Sequence, residues 1–291
     1  MKTVQAELLF SCHNTLGEGP LWHPAEGCLY WVDIDAGELY TSNPAMTGFS
    51  STHFDTPLGA FCFRKSGGYI LATGAGFLAW SHQHGEPSLL WNPLPPRSGV
   101  RLNDGKVDPA GRFWSGSIDT QLAQGELYRL DPDCSQHIIL GEIGISNGLG
   151  WSPDRSTMYY TDSLRYTIYA FDFDLATGTI QNRRPFVQLP KNTAEIVPDG
   201  LCVDAEGCVW SAQWNGWGVL RYSPEGEPLM KVSVPAQRVT SCCFGGEGHQ
   251  QLFITTACTD LSPAELADQP HAGDVFTLLT DTTGQPPYFF G

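Results

Sequence analysis

The chain has 291 residues, with 16 Lys and Arg against 31 Asp and Glu, which gives a formal net charge of −15. Such an acidic protein repels phosphate backbones, so the composition argues against nucleic-acid binding. Aromatic residues make up 12% of the chain, which argues against disorder, and no apolar run is long enough to span a membrane. The many Gly and Pro residues among short aromatic runs predict an all-β fold.

The first ten residues contain a single basic residue, and Glu7 interrupts their apolar run, so they do not fit a secretory signal. None of the nine cysteines is spaced as Cys-x-x-Cys, so neither a zinc knuckle nor a thioredoxin-like site is indicated. Both features predict a protein of the reducing cytoplasm. Because no linker or low-complexity segment interrupts the chain, we predict one domain over residues 1–291.

A strand–turn–strand pattern recurs along the chain after a first strand-like segment at residues 8–10. In each copy, a turn centred on Gly or Asp is followed by two runs of aromatic and β-branched residues. The turn centres lie 40 to 53 residues apart, at Gly27, Gly67, Gly111, Asp154, Gly207 and Gly248. This period is typical of a β-propeller with one four-stranded sheet per blade. The sequence therefore predicts a six-bladed β-propeller, and residues 8–10 are expected to close the ring against the last blade.

Three shorter segments carry local predictions. Residues 262–265 (Ser-Pro-Ala-Glu) predict a short helix, because they combine a capping box with Pro at the first helical position. His82 and His84 indicate an exposed turn between strands. Trp214 and Trp217 suit the rim of the channel, and packing between blades is an equally open alternative for either residue.

The innermost strand of each blade runs along the central channel, so the residues before each turn are candidates for a site on the axis. Seven to nine residues before the turn centres stand Glu18, Gly59, Asn103, Asn147, Asp199 and Thr240. Rotation of the blades about one axis makes these side chains converge. Two carboxylates and two amides form an all-oxygen site that suits Ca²⁺, Mg²⁺ or Mn²⁺ and also accommodates Zn²⁺ or Fe²⁺.

Each of these motifs also has a simpler interpretation. Asn-Gly and Asp-Gly are common turn dipeptides, but four such residues in register favour a metal site for Glu18, Asn147 and Asp199. For Asn103, a metal ligand, a substrate contact and a turn residue all remain open. Residues 144–148 match the Gly-x-Ser-x-Gly nucleophile elbow, but no helical pattern follows, so a serine hydrolase is not predicted.

Several long segments resemble the regucalcin/gluconolactonase/luciferin-regenerating-enzyme family from end to end. They are residues 17–20 (GEGP), 101–112 (RLNDGKVDPAGR), 145–149 (ISNGL), 198–207 (PDGLCVDAEG) and 241–246 (SCCFGG). The resemblance implies a six-bladed propeller with one divalent cation at the channel mouth, which hydrolyses sugar lactones to aldonic acids. Position by position, it implies that Glu18, Asn147 and Asp199 bind the metal and that Arg101 and Asn103 bind the substrate. It also implies that Asp199 is the general base.

One segment departs from the family pattern. Close relatives carry acidic residues in the loop after the Arg101 segment, where this chain has Ser-Ile-Asp-Thr-Gln at 117–121. Arabinono-, xylono-, galactono- and gluconolactone therefore all remain candidate substrates, and no obligate protein partner is indicated. Two alternatives stay open: an organophosphate-type esterase on the same propeller site, and a non-catalytic calcium-binding propeller. The polar Arg101 and Asn103 favour a hydroxylated substrate.

Overall fold

The computed structural model describes residues 1–81, 85–97, 99–119, 121–191 and 193–291, so the predicted turn at His82 and His84 lies outside the described residues. Strands arranged in six small sheets dominate the described chain. The first strands of neighbouring sheets pack against one another, which places them around a central channel. The predicted six-bladed β-propeller is confirmed.

The chain begins with β1 (Lys2–Gln5) and β2 (Glu7–Phe10), which join the last two blades. Blade 1 then consists of β3 (Gly17–His23), β4 (Cys28–Asp33), β5 (Glu38–Ser42) and β6 (Phe49–His53). Blade 2 consists of β7 (Leu58–Phe63), β8 (Tyr69–Thr73), β9 (Gly76–Trp80) and β10 (Ser88–Trp91). Blade 3 consists of β11 (Arg101–Val107), β12 (Phe113–Ile118), β13 (Gly125–Leu130) and β14 (Gln136–Ile143).

The remaining blades follow the same order from the channel outward. Blade 4 consists of β15 (Ser146–Trp151), β16 (Thr157–Asp162), β17 (Thr167–Asp174) and β18 (Thr179–Gln188). Blade 5 contains β19 (Val197–Val203), β20 (Val209–Trp214), β21 (Gly218–Tyr222) and β22 (Pro228–Ser233). Blade 6 contains β23 (Arg238–Gly245), β24 (Gln251–Ala257) and β25 (Val275–Leu279).

The N-terminal segment closes the ring. Strand β2 pairs antiparallel with β25, with Leu8 opposite Phe276, and becomes the outermost strand of blade 6. The predicted closing strand is thereby confirmed. Strand β1 was not predicted: it pairs parallel with β22 and adds a fifth strand to blade 5. The same few residues therefore join two neighbouring blades.

The aromatic runs that follow the turn centres become the second strands of the blades and fill the core. Trp31, Trp114 and Trp210 occupy corresponding second strands and are all completely buried. Trp31 stacks on Phe10 and Tyr40 at centroid distances of 5.6 and 5.1 Å. Stacking and burial of such large side chains stabilise the contacts within and between the blades.

Blades 3 and 5 each have a buried aspartate at the turn between their first and second strands. Asp108 accepts a hydrogen bond from Trp114 Nε1 at 2.9 Å, and Asp204 accepts one from Trp210 Nε1 at 2.9 Å. Each carboxylate also accepts backbone N–H groups of its own turn. These bonds fix the end of the first strand that lies far from the predicted site residues.

The predicted helix is confirmed as α1 (Pro263–Asp268). Its capping box is complete, because Glu265 N donates to Ser262 Oγ and Ser262 N donates to Glu265 Oε2. Within the described ranges, no helix is long and apolar enough to cross a membrane.

Candidate metal and substrate site

A bulge near the start of each innermost strand positions the candidate side chains. The pairing register with the second strand shifts at Glu18/Leu21, Leu58/Ala60, Leu102/Gly105, Ser146/Leu149, Pro198/Leu201 and Val239/Ser241. All six positions that the repeat predicts lie within or at the edge of these bulges. Because a bulge re-aims side chains out of the regular alternation, the sixfold repeat directs one residue per blade toward the axis.

Four of these six residues line one cavity at the end of the channel. Glu18, Asn103, Asn147 and Asp199 surround it together with Arg101, and its volume is about 380 Å³. The other two positions have structural contacts. Thr240 Oγ1 donates a hydrogen bond to Gly17 O, and a Cβ at Gly59 would lie 2.3 Å from Leu102 O. The structure thus brings together every residue that the sequence predicted as a metal ligand or a substrate contact.

A hydrogen-bonded chain of side chains orients the two amides. Asn147 Nδ2 donates to Ser163 Oγ at 2.9 Å, and Ser163 Oγ donates to Pro198 O at 2.7 Å. Asn103 Nδ2 donates to Asn147 Oδ1 at 3.0 Å and to Ser146 O at 2.7 Å. Asn147 Oδ1 accepts this one hydrogen bond and keeps one lone pair for another partner.

Asn103 holds Arg101 as well. The guanidinium Nη1 of Arg101 donates to Asn103 Oδ1 and, at 3.2 Å, to Leu102 O. Since both residues lie in strand β11, Asn103 is not a turn residue. Each amide oxygen thus accepts one side-chain hydrogen bond, Asn103 Oδ1 from Arg101 and Asn147 Oδ1 from Asn103 Nδ2.

Three buried carboxyl groups, those of Glu18, Asp104 and Asp199, lie close together beside the cavity. Burial raises the pKa of Glu18 to about 8, and the charge of Asp104 adds to this effect. Burial, then the charges of Glu18 and Asp104, raise the pKa of Asp199 well above its usual range. Among the described residues, no group donates a hydrogen bond to the buried Asp199 Oδ1. The charges of Arg101 and Lys106 oppose the rise in the pKa of Glu18, and Lys106 Nζ donates to Leu201 O at 2.6 Å.

Sequence reasoning missed Asp104 because it assumed one axial residue per strand. The bulge between Leu102 and Gly105 contains both Asn103 and Asp104, so ordinary alternation does not apply to this pair. The carboxylate of Asp104 also accepts a hydrogen bond from Gly105 N at 2.7 Å. The Asp-Gly step after Asn103 is the signal that could have identified it.

The rim of the cavity consists of residues that the repeat did not identify. The described lining includes Asp35, Asp260 and Trp214, but not Trp217, which is 42% exposed. Arg238 lies over the Trp214 ring at 5.0 Å from its centroid. Burial lowers the pKa of Arg101, whereas the charges of Asp35 and Glu18 oppose that shift, so both acidic groups act on the guanidinium.

The divergent loop contributes an apolar residue to the cavity. Ile118 lines the site, whereas the neighbouring Asp119 is buried in an ion pair with Arg97. Asp119 also accepts backbone hydrogen bonds from Leu122 N and Gln124 N, both at 3.2 Å. Its carboxylate therefore holds the loop in place, and Thr120 lies outside the described residues.

A second group of potential ligands occurs elsewhere in the described chain. The ligand atoms of Asp204, Glu206 and Cys208 lie within 4.8 Å of one another. However, Arg221 Nη2 contacts Asp204 Oδ2 at 2.7 Å and Glu206 Oε2 at 2.6 Å. Because the arginine bridges the two carboxylates, this group is better explained as an ion-pair cluster than as a metal site.

The fold and the cavity define a β-propeller with an oxygen-rich site at one end of its channel. The family model described as the SMP-30/Gluconolactonase/LRE-like region matches residues 16–258, and the chain belongs to this family. Regucalcin of Oryctolagus cuniculus is 38% identical over 301 aligned positions, which cover 100% of this chain and 99% of the relative. The family resemblance seen in the sequence is thereby confirmed.

Solved structures show the same fold. Regucalcin from Agrobacterium tumefaciens, described as a calcium-binding protein, superimposes with a TM-score of 0.94 at 24% identity, covering 100% of this chain and 98% of that chain. A gluconolactonase from Xanthomonas campestris superimposes with a TM-score of 0.70 at 24% identity, covering 93% of this chain and 87% of that chain. The six-bladed architecture is common to all three.

Proposed function

We propose that the protein is a metal-dependent lactonase that hydrolyses a sugar lactone to its aldonic acid. The observation that carries this proposal is the buried Asp199 Oδ1, which lacks a hydrogen-bond donor among the described residues and lies in the same cavity as Glu18 and Arg101. Membership of a family named after gluconolactonase supports the lactone substrate. The nine cysteines are free thiols, which supports the cytoplasmic location that we also propose.

The residues present fit one divalent cation. In this proposal, Glu18, Asn147 and Asp199 supply only oxygen ligands, and their two carboxylates match the charge of a divalent ion. A buried carboxylate oxygen without a donor is costly unless a cation or another partner satisfies it. Calcium is the first ion to test, because the Agrobacterium relative is described as calcium-binding. Zinc, manganese, magnesium and iron(II) suit the same donor set.

When bound, such a cation would polarise the lactone carbonyl and lower the pKa of a water molecule. Asp199 accepts the proton of the attacking water as a bond forms between the water oxygen and the carbonyl carbon. The bond from the carbonyl carbon to the ring oxygen then breaks, and that oxygen leaves as a hydroxyl group after taking the proton from Asp199. Arg101, oriented by Asn103, donates hydrogen bonds to sugar hydroxyls or to the developing oxyanion.

Acid release from a panel of pentono- and hexonolactones tests the proposal. Protein stripped with a chelator should be inactive, and activity should return with at least one of the five cations. Calorimetry on the same samples should show one high-affinity site per chain. Full hydrolysis by exhaustively metal-free protein would contradict the scheme.

A non-catalytic calcium-binding propeller is the alternative, and the description of the Agrobacterium relative favours retaining it. The same samples separate the two functions. Binding of one cation without hydrolysis of any lactone in the panel would favour the alternative.

A further inference from the structure

The mouth of the cavity is more acidic than metal binding requires. Beyond Glu18 and Asp199, the carboxylates of Asp35 and Asp260 line it, and Arg101 is the single cationic side chain among the described lining residues. A divalent cation would neutralise the two inner carboxylates. The two outer ones would keep their charge at the entrance.

These two aspartates have no strong cationic partner. Asp260 is 85% exposed at its side chain and lies 3.9 Å from Arg238 Nη1, at the limit of an ion pair. Asp35 is exposed and acts on Arg101, whose guanidinium is already hydrogen-bonded to Asn103 and Leu102. Arg101, the one cation among the described lining residues, lies deeper and is already hydrogen-bonded to Asn103 and Leu102, so a negatively charged substituent at the mouth would first meet the two carboxylates.

The turn that carries Asp35 is held rigidly. Ile34 N donates to Leu16 O at 3.0 Å, and Leu58 N donates to Ile34 O at 3.2 Å. The preceding Asp33 accepts hydrogen bonds from Thr15 N at 2.7 Å and Leu16 N at 3.0 Å. Since the backbone on both sides is fixed, the charge of Asp35 stays at the mouth of the cavity.

We propose that Asp35 and Asp260 make the site selective for lactones whose substituents are all hydroxyl groups, and that they exclude lactones carrying a second carboxylate. This inference rests on the proposed lactonase function and specifies its substrate class. Hydroxyl groups donate hydrogen bonds to carboxylate oxygens, so an uncharged polyol gains contacts where an anion is repelled. A reaction that oxidises an uncharged aldose at its anomeric carbon would supply such a substrate.

A pair of matched substrates tests the proposal. An aldono-1,4-lactone and the 1,4-lactone of the corresponding aldaric acid differ only in the replacement of a terminal hydroxymethyl group by a carboxylate. We expect the metal-loaded wild-type protein to prefer the uncharged lactone by about 30-fold in kcat/KM at low ionic strength, because two like charges remain in a partly screened cavity. Added salt should reduce this preference, since screening weakens repulsion but not steric exclusion.

Three variants test whether Asp35 and Asp260 cause the preference for the uncharged lactone. The double variant Asp35→Asn/Asp260→Asn should reduce the preference to about 3-fold, chiefly by raising kcat/KM for the charged lactone. Asn keeps the shape of both side chains and tolerates the left-handed backbone of Asp260, where φ is 53°. The single variant Asp35→Asn should lie between the two. Asp55→Asn is the matched control. It removes the same charge from an aspartate that is fully exposed and lies outside the described lining.

The possible outcomes distinguish a failure of this inference from a failure of the proposed lactonase function. If wild-type protein hydrolyses both lactones equally, or if the double variant keeps the full preference, the inference is overturned and the lactonase function stands. A preference that does not change with salt would also overturn it. If neither lactone is hydrolysed with any cation, the proposed function is wrong and the inference falls with it.

Discussion

Two buried aspartates at opposite ends of strand β19 differ in how completely their carboxylates are hydrogen-bonded. Asp199 lies in β19 near its start, and Asp204 directly follows the end of that strand. Asp204 Oδ1 accepts hydrogen bonds from Glu206 N and Cys208 N, and Oδ2 accepts them from Trp210 Nε1 and Arg221. Asp199 is nearly as buried, yet its Oδ1 has no donor within the described chain. Every described donor around Asp204 is used by its carboxylate, whereas one oxygen of Asp199 is left for another partner, which the proposed function assigns to a cation.

Replacing Asp199 should produce the largest functional effect. We expect Asp199→Asn to lower kcat for lactone hydrolysis by about 10³-fold, because it removes both a proton acceptor and a ligand charge. Its melting temperature without metal should not fall, since the substitution relieves repulsion with Glu18 and Asp104. Steady-state kinetics and thermal melting check both parts. An unfolded variant, or one that retains full turnover, would contradict the assignment of Asp199 to turnover rather than to folding.

Replacing Asp204 should have the opposite profile. Asp204→Ala leaves Arg221, Trp210 Nε1 and two backbone N–H groups without their buried acceptor. We expect a loss of about 3–5 kcal/mol in the free energy of unfolding, measured by denaturant titration. The folded fraction should keep its kcat. A large loss of turnover in folded protein would show that the two ends of the strand are coupled.

The pH dependence of stability sharpens the comparison at Glu18. Its pKa is raised to about 8 in the folded protein, so its contribution to stability is fully present below the unfolded value near 4.5 and is lost as the pH rises through 8. Metal-free protein should therefore melt at a higher temperature at pH 5.5 than at pH 8.5. In Glu18→Gln the difference should shrink, and in wild type a saturating cation should stabilise most at the higher pH. An unchanged difference in the variant would assign the effect to other groups.

Replacing the rim tryptophan Trp214 should give the smallest effect. Trp214 lines the cavity, so Trp214→Leu should raise KM for the lactone about 3- to 10-fold while kcat changes little. Trp217→Leu is the matched control, because this indole is exposed outside the described lining. Equal effects of both substitutions would indicate a general change of the rim rather than a sugar contact.

The fold was largely predictable because its signals are local. Each turn centre and the aromatic run after it specify one hairpin, and a regular spacing of hairpins specifies a propeller. Strand β1 was missed because its parallel partner, β22, lies more than 220 residues away and no local turn joins them. The prediction of one domain over residues 1–291 stays a prediction.

The site was predictable only where it follows the repeat. Glu18, Asn147 and Asp199 occupy corresponding positions, so alignment of the turns places them together. Asp35 and Asp260 lie in the connections between the second and third strands of blades 1 and 6, which the alignment of the turns between first and second strands did not include. Asp104 was missed because a bulge shifts two consecutive residues out of alternation. The roles of these residues remain to be tested by the experiments above.

The ring closure by β1 and β2 affects how the protein is made. Blades 1 to 4 are continuous in the chain, so each can form soon after its own residues leave the ribosome. Blade 6 cannot gain its outer strand until β25 has been synthesised, although β2 is among the first residues to emerge. At roughly 5–20 residues per second, the N-terminal strands wait roughly 15–50 s for their partners. During that interval the unpaired edges of β1 and β2 are open to pairing with other strands.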